Sequence, residues 1–351
     1  MKETTFSLRQ LGPQDGRAYA ALLAASPDTG AIRFAVRFEI DPYQALMSLN
    51  KDTIGLVVET PGYDGFIGSG LIRFGHCQWE GELRPTALLN TLVVHPDYRR
   101  RGLASQLARW REEFAHQRFG DDGILWAIIQ QNNTGSERTA GKWASQFLAS
   151  RLTFVPMRMR SVPPPRTRQF IVRPAKPDEL KTVAEQLNNF YREYNLYSPE
   201  TSSSLATWLV ETPFETPLHH YRIITDQAGS ILAGVGLAGN YRLRTTLVTH
   251  MPAGLRFLNR IFNVIPAGGE MREISLSRLW HAPGQLEAAR QLVKTMRWEW
   301  RDRATSLLMY MDVHGPLMGL LGVRERIGRG LVSLAVRAPV PCSEGRLYYA
   351  M

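Results

Sequence analysis

Two hydrophobic rhythms run along this chain, and each occurs twice in the same order. Phe6-Ser-Leu8-Arg9 reads as a short strand leading into a helix expected over Gln14–Leu23. Phe170-Ile-Val172-Arg173 leads in the same way into a helix expected over Pro177–Asn189. Two β-rich runs around a turn follow, Ile54–Val58 with Phe66–Leu71, and then Tyr221–Ile224 with Leu232–Leu237, so each pair predicts a hairpin. Last comes strand–helix–strand: Ala87–Val94, Ser105–Arg118 and Ile124–Ile129, then Glu273–Trp280, Gln285–Trp300 and Leu307–Met311. Leu103, Leu107, Trp110 and Phe114 give the first of these helices its apolar stripe.

Three matches in one order make an internal repeat. The proline triplet at 163–165 can continue neither a helix nor a central strand. The expected division is therefore a domain over 1–160, a stiff linker over 161–169 and a second domain over 170–351. An insert, Tyr241–Arg272, interrupts the second copy. Its Gly254–Ile265 segment has amphipathic spacing and is expected to pack on its own sheet; a lid or a membrane-surface helix are the other readings.

Composition narrows the class. The chain has 351 residues, of which 44% are hydrophobic and 21% charged, as globular domains have. Two cysteines, Cys77 and Cys342, make no disulfide framework and offer no metal-ligand spacing. His219-His220 and His281 lack further ligands at suitable spacing, so no metal is expected. No run is apolar enough to span a bilayer, and the first residues lack a signal peptide's core, so the expectation is a cytoplasmic protein. The net charge of +10 raises the question of nucleic acid. The basic residues are scattered without interleaved aromatics, which points instead to an arginine-rich surface with one phosphate-binding cleft.

That cleft is expected in the run Leu89–Ser105. An apolar strand ends at Val94, a turn follows at His95-Pro96-Asp97, and Arg99-x-x-Gly102-x-Ala104 opens a helix. The first N–H groups of a helix have no intrahelical partners and carry partial positive charge. Small residues at 102 and 104 let a ligand approach the backbone, and three arginines flank the opening. Together these predict a site for a pyrophosphate or similar anion. Gly68-Ser-Gly70 does not compete with it, because Arg73 breaks the dinucleotide pattern and the segment lies in a hairpin. No Gly-x-Ser-x-Gly elbow is present.

The run resembles the cofactor motif of the GNAT superfamily of acyl-CoA-dependent N-acyltransferases, and the resemblance extends over residues 1–160. It implies a mixed α/β fold with two GNAT-like domains, each a twisted, mostly antiparallel sheet flanked by helices. It implies that the backbone N–H groups of Arg100, Arg101, Gly102, Leu103, Ala104 and Ser105 face the pyrophosphate of acetyl-CoA, with Arg99 opening the motif. Leu92, Val93 and Val94 would lie beside the pantetheine arm, and an N–H near Val94 would polarise the acyl carbonyl. Asn133 matches an asparagine that contacts the same arm, and serves equally well as a helix cap.

The resemblance fails at the acid and the base. The family's tyrosine would fall at Ala140 or Ala149, and the helix expected over Ser136–Ser150 has no tyrosine. The strand position of the family's glutamate is near Leu88, with Asn90 the nearest polar side chain. Glu39, His76, Glu80, Glu82 and His95 are candidates from neighbouring segments, and no catalytic residue is assigned. In the second copy the loop Trp280–Arg290 keeps one glycine and gains Glu287, so that half is expected to be degenerate. The implied function is transfer of an acetyl or short acyl group to a primary amine of a small molecule or peptide. The alternative is a non-catalytic acyl-CoA-binding module whose C-terminal half recruits a partner. Two domains in one chain suit a monomer, as a pseudo-dimer, or a homodimer.

Overall fold

A computed structural model describes residues 6–27, 32–49, 52–165, 168–262, 265–266, 268–343 and 345–349. Parts of two expected segments lie outside the described residues, at 166–167 in the linker and at 263–264 and 267 in the insert. The first half runs β1 (Ser7–Gln10), α1 (Gly16–Ala25), β2 (Arg33–Phe38), α2 (Pro42–Leu49), β3 (Thr53–Glu59), β4 (Gly68–Trp79) and β5 (Glu82–Val94). It continues with α3 (Leu103–Phe119), β6 (Ile124–Gln130), α4 (Thr134–Ala140) and β7 (Gln146–Arg158). The second half opens with β8 (Ile171–Pro174), α5 (Leu180–Phe190), β9 (Tyr194–Asn195), α6 (Ser202–Val210), β10 (His219–Thr225) and β11 (Ile231–Ala238). The insert supplies β12 (Arg244–His250), α7 (Ala253–Phe262) and β13 (Glu270–Met271). The chain then forms β14 (Glu273–His281), α8 (Leu286–Glu299), β15 (Ser306–Asp312), α9 (Val323–Gly328), β16 (Gly330–Arg337) and β17 (Arg346–Leu347).

The fold is mixed α/β with a large, mostly antiparallel sheet, and the repeated elements take matching places in it. The apolar stripes explain the helices. Leu103 and Leu107 are buried under α3, with Trp110 and Phe114 packed beside them. Leu180, Val183, Ala184 and Leu187 form the same stripe on α5.

The two copies share one sheet of 12 strands, in the order β1-β3-β4-β5-β6-β16-β7-β15-β14-β11-β10-β8. The strands at its centre are exchanged. β16, near the end of the chain, pairs with β6 of the first half, and β7 of the first half pairs with β15 of the second. Val332, Leu334, Val336, Cys342 and Leu347 thereby pack against Trp79, Leu88, Ile124 and Trp126 in one buried cluster.

Two expectations are corrected. The helix expected over Ser136–Ser150 ends at Ala140, and β7 begins at Gln146. Gly141 caps the helix, and on the strand Leu148 and Leu152 pack into one buried cluster while Val155 and Met157 pack into another. The insert does not lie on its own sheet. β12 pairs with β2 of the first half, in a separate sheet with β13. α7 leaves Leu255, Phe257 and Ile261 exposed.

Candidate active site

The site begins where β5 leaves β6. The two strands pair in parallel only from Thr86–Leu88 to Ile124–Trp126, yet β5 runs on to Val94 and β6 to Gln130. A bulge opens them. The register between β4 and β5 slips between Ser69 and Leu71, and Thr91 opposite has φ of +45°. The edge of β5 bearing Leu92, Val93 and Val94 therefore faces a gap in the sheet. These three side chains are partly buried against α1 and α3.

Arg111, on α3, braces the bulge. It is buried, and its Nη1 donates to the carbonyls of Asn90 at 3.0 Å and Leu71 at 3.4 Å. No carboxylate pairs with it among the described residues, and burial pushes its guanidinium down to about 10. A side chain at Gly70 would meet its Cδ at 2.9 Å, so glycine there makes room for the brace. The two energies in Arg111→Met oppose each other. Two carbonyls lose donors, at about 1–3 kcal/mol each, while a buried charge that costs roughly 3 kcal/mol is removed. The expected result is a melting temperature within a few degrees of wild type but acetyl-CoA affinity lowered about tenfold, read by calorimetry.

Beyond Val94 the chain turns through Pro96–Tyr98 and enters α3 at Gly102, whose φ of +81° puts the helix N-cap in the left-handed region. Arg100 takes φ of +62° just before it. The N–H groups of Ser105 and Gln106 both reach the Gly102 carbonyl, at 3.0 and 3.1 Å. Those of Arg100, Arg101, Gly102, Leu103 and Ala104 have no partner among the described residues. Arg99 and Arg101 are anchored by the loop, through Nε to the Val94 carbonyl at 3.1 Å and Nη2 to the Asp97 carbonyl at 3.0 Å. Unpaired N–H groups, a helix N-terminus and three exposed guanidinium groups converge at the mouth of the gap. This arrangement can hold a pyrophosphate there while an extended arm runs along β5.

Asn133 caps α4, its Oδ1 accepting from the Ser136 N–H at 3.1 Å. Lys142 escaped the sequence reading because it follows a short helix with no motif around it. Its Nζ donates to Ser105 Oγ at 2.7 Å and adds positive charge to the mouth.

Of the candidate bases only His95, which directly follows Val94, stands at the mouth of this gap. Glu82 lies 12 residues down β5 from Val94, about 40 Å along an extended strand, and Glu80 and His76 share that far end. Burial would raise the Glu80 carboxyl, but hydrogen bonds from Ser343 and Asn195 hold it lowered. Glu39 accepts from Thr245 Oγ1 at 2.7 Å and pairs with Arg37. His95 Nδ1 accepts from the Asp97 N–H.

The second half retains the bulge and seals it. β14 and β15 pair only over Glu273–Leu276 and Ser306–Met309, and Arg278 carries φ of +52° where Thr91 stands in the first half. Here tyrosines occupy the backbone. The Arg278 N–H donates to Tyr348 Oη at 3.2 Å, Tyr221 Oη donates to the Arg278 carbonyl at 3.1 Å, and Tyr191 Oη donates to the Leu279 carbonyl. At the mouth of α8, Glu287 pairs with Arg290.

Residues 23–143 match the model of the Acetyltransferase (GNAT) family. No curated protein sequence matches the chain. Among solved structures it is similar to Saccharomyces cerevisiae N-myristoyltransferase with bound myristoyl-CoA, with a TM-score of 0.62 at 9% identity over 96% of this chain and 79% of that one. It is also similar to a GCN5-related N-acetyltransferase from Sphaerobacter thermophilus, with a TM-score of 0.58 at 15% identity over 96% and 98% of the two chains. A tandem GNAT protein from the clavulanic acid biosynthesis pathway gives a TM-score of 0.58 at 14% identity over 96% and 100%. At these identities the likeness is one of fold.

Proposed function

Because this chain carries a domain of the acetyltransferase (GNAT) family within a tandem GNAT fold, we propose that it transfers an acetyl or other short acyl group from coenzyme A to a primary amine. One observation carries the reading. The gap between β5 and β6 opens directly onto the unpaired N–H groups at the start of α3, flanked by Arg99, Arg100 and Arg101. In this reading those groups and Lys142 hold the pyrophosphate, and Leu92, Val93 and Val94 line the pantetheine arm. Asn133, which caps α4, would contact that arm.

The chemistry would be direct attack within a ternary complex. A backbone N–H near Val94 polarises the thioester carbonyl, and the bulge braced by Arg111 holds that N–H in place before the reaction begins. Binding both reactants in one gap supplies orientation. A thiolate leaves readily, so the missing tyrosine acid does not prevent the step. Residues 1–160 would form the catalytic half and 170–351 a degenerate half without its own cofactor, joined through 161–169. The tyrosine hydroxyls on the Arg278 bulge support that assignment.

The test is calorimetry with acetyl-CoA, followed by thiol release in the presence of kanamycin, spermidine, lysine and a short peptide with a free N-terminus. One acetyl-CoA bound per chain and amine-dependent thiol release are expected. Absence of both removes the reading.

A further inference from the structure

A cavity of about 320 Å³ opens in the second half, apart from both the gap and the sealed bulge. Three stretches of chain enclose it: Leu218 and His220 at the start of β10, Tyr241 and Arg242 in the turn after β11, and Trp300 and Arg303 where the chain leaves α8. Volumes of this order hold small-molecule ligands. One wall reaches the first half. Leu218 packs in one buried cluster with Leu243 and with Ala45 of α2, and the Glu39 N–H donates to the Leu243 carbonyl at 2.9 Å.

The walls carry positive charge and no matching negative charge. Among the described residues, no aspartate or glutamate lines the cavity. Arg242 is fixed in place. Its Nη1 donates to the carbonyls of Pro217 at 2.9 Å and Thr216 at 3.2 Å, its Nη2 donates to Thr216 Oγ1 at 2.9 Å, and its guanidinium lies over the Phe214 ring at 3.9 Å. Carbonyls and a hydroxyl hold this group without neutralising it. Arg303 lies over the Trp300 ring at 5.3 Å, and its guanidinium makes no ion pair or hydrogen bond among the described residues. His220 meets the same ring edge-on at 5.0 Å, and its imidazole makes no hydrogen bond among them either. Trp300 Nε1 is a buried donor that the fold leaves without an acceptor.

The carboxylates next to these residues in the chain do not fill the deficit. Glu299 pairs with Arg222 at 3.2 Å, Asp302 pairs with Arg301 at 3.2 Å, and Glu215 is exposed outside the lining. Gathered positive charge without a counter-charge repels itself and favours an anion. The imidazole registers that field: burial, then the charges of Arg222, Arg303 and Arg242, hold His220 below the usual histidine range.

We propose that this cavity binds a small phosphate monoester, with Arg303, Arg242 and His220 meeting the phosphate and Leu218, Tyr241 and Trp300 covering the organic part. A phosphate monoester carries close to two negative charges at neutral pH, which answers two guanidinium groups; a carboxylate answers only one. The planar guanidinium fork also suits phosphate oxygens. His220, neutral in the empty cavity, can take up a proton as the anion enters. The site needs nothing from the acyltransferase reading. It belongs to the half that lost its own cofactor loop, and through Leu218 its ligand would rest against α2 of the half that kept one.

The test uses the full chain, calorimetry and phenyl phosphate as the probe, with phenol and benzoate as controls. One phenyl phosphate bound per chain is expected, with no binding of phenol and benzoate at least about tenfold weaker. Arg303→Gln should weaken the probe about tenfold, as loss of a charge-assisted hydrogen bond does, and Arg303→Glu should abolish binding. Arg303 is exposed, so neither change disturbs the core. Gly102→Glu should bind the probe like wild type, because the mouth of α3 is a separate place. A second measurement follows the imidazole by proton NMR. The ring signal that disappears in His220→Gln should titrate at higher pH when phenyl phosphate is present, since the anion favours the protonated ring. Absence of binding at millimolar probe, or binding that Arg303→Glu leaves unchanged, overturns the proposal. Benzoate binding as tightly as phenyl phosphate overturns the choice of phosphate. Binding lost in Gly102→Glu but kept in Arg303→Glu also overturns the proposal, because the anion then sits at α3.

Discussion

Gly102→Glu is expected to abolish acetyl-CoA binding, whereas Gly102→Ala should bind within about tenfold of wild type. The pair separates two effects at one backbone position. A Cβ at Gly102 would meet nothing within 4 Å, so neither variant suffers a clash. Both pay for a side chain at φ of +81°, roughly 1–2 kcal/mol. Only glutamate adds negative charge where the N–H groups of Arg100–Ala104 would meet a pyrophosphate. Two unit charges about 4 Å apart near a protein surface repel by about 4 kcal/mol, close to a thousandfold in affinity. Calorimetry on both variants decides the matter. If glutamate binds like alanine, the pyrophosphate does not sit at this helix and the phosphate-site reading is withdrawn.

The second large effect concerns the halves themselves. Residues 1–160 expressed alone are expected not to form a cooperatively folded monomer, although the repeat and the proline linker mark them as a unit. β6 would lose its partner β16 and present an open edge. Val332, Leu334, Val336 and Leu347 would no longer cover Trp79, Leu88, Ile124 and Trp126. Four such side chains contribute about 6–12 kcal/mol by burial, comparable with the 5–15 kcal/mol that holds a typical domain together. The half-exposed ion pair of Arg337 on β16 with Glu112 on α3 would go too. The fragment should aggregate, or dimerise by pairing its free edge with a second copy; size-exclusion chromatography and a thermal melt read either outcome. A monomer with a sharp melt would show that the exchanged strand is dispensable.

The site is divided in the same way as the fold. Gly102, the arginines and the strand ending at Val94 were legible in sequence because a left-handed N-cap and a strand-to-helix turn are local requirements. Each is met by residues a few positions apart. Arg111 was hidden because an arginine on an amphipathic helix reads as surface; only the β4–β5 bulge gives it carbonyls to brace. Lys142 comes to Ser105 through the packing of α4, and no spacing announces that contact. The candidate bases Glu80 and Glu82 looked near the motif because they are near it in number. A strand is long, and 12 residues of β5 carry them to the other end of the sheet.

What the amino-acid order determined by itself was the inventory: the paired strand–helix units, the two hairpins, the phosphate-binding turn, and the loss of that turn from the second copy. These follow from side-chain periodicity and from backbone preferences that act within about ten residues. Which strands meet at the centre of the sheet was decided only in three dimensions. β7 and β16 are both apolar and alternating, and either could complete its own half; local pattern does not distinguish the two partners. The exchange satisfies both open edges at once and buries the cluster around Trp79 and Trp126 from both sides.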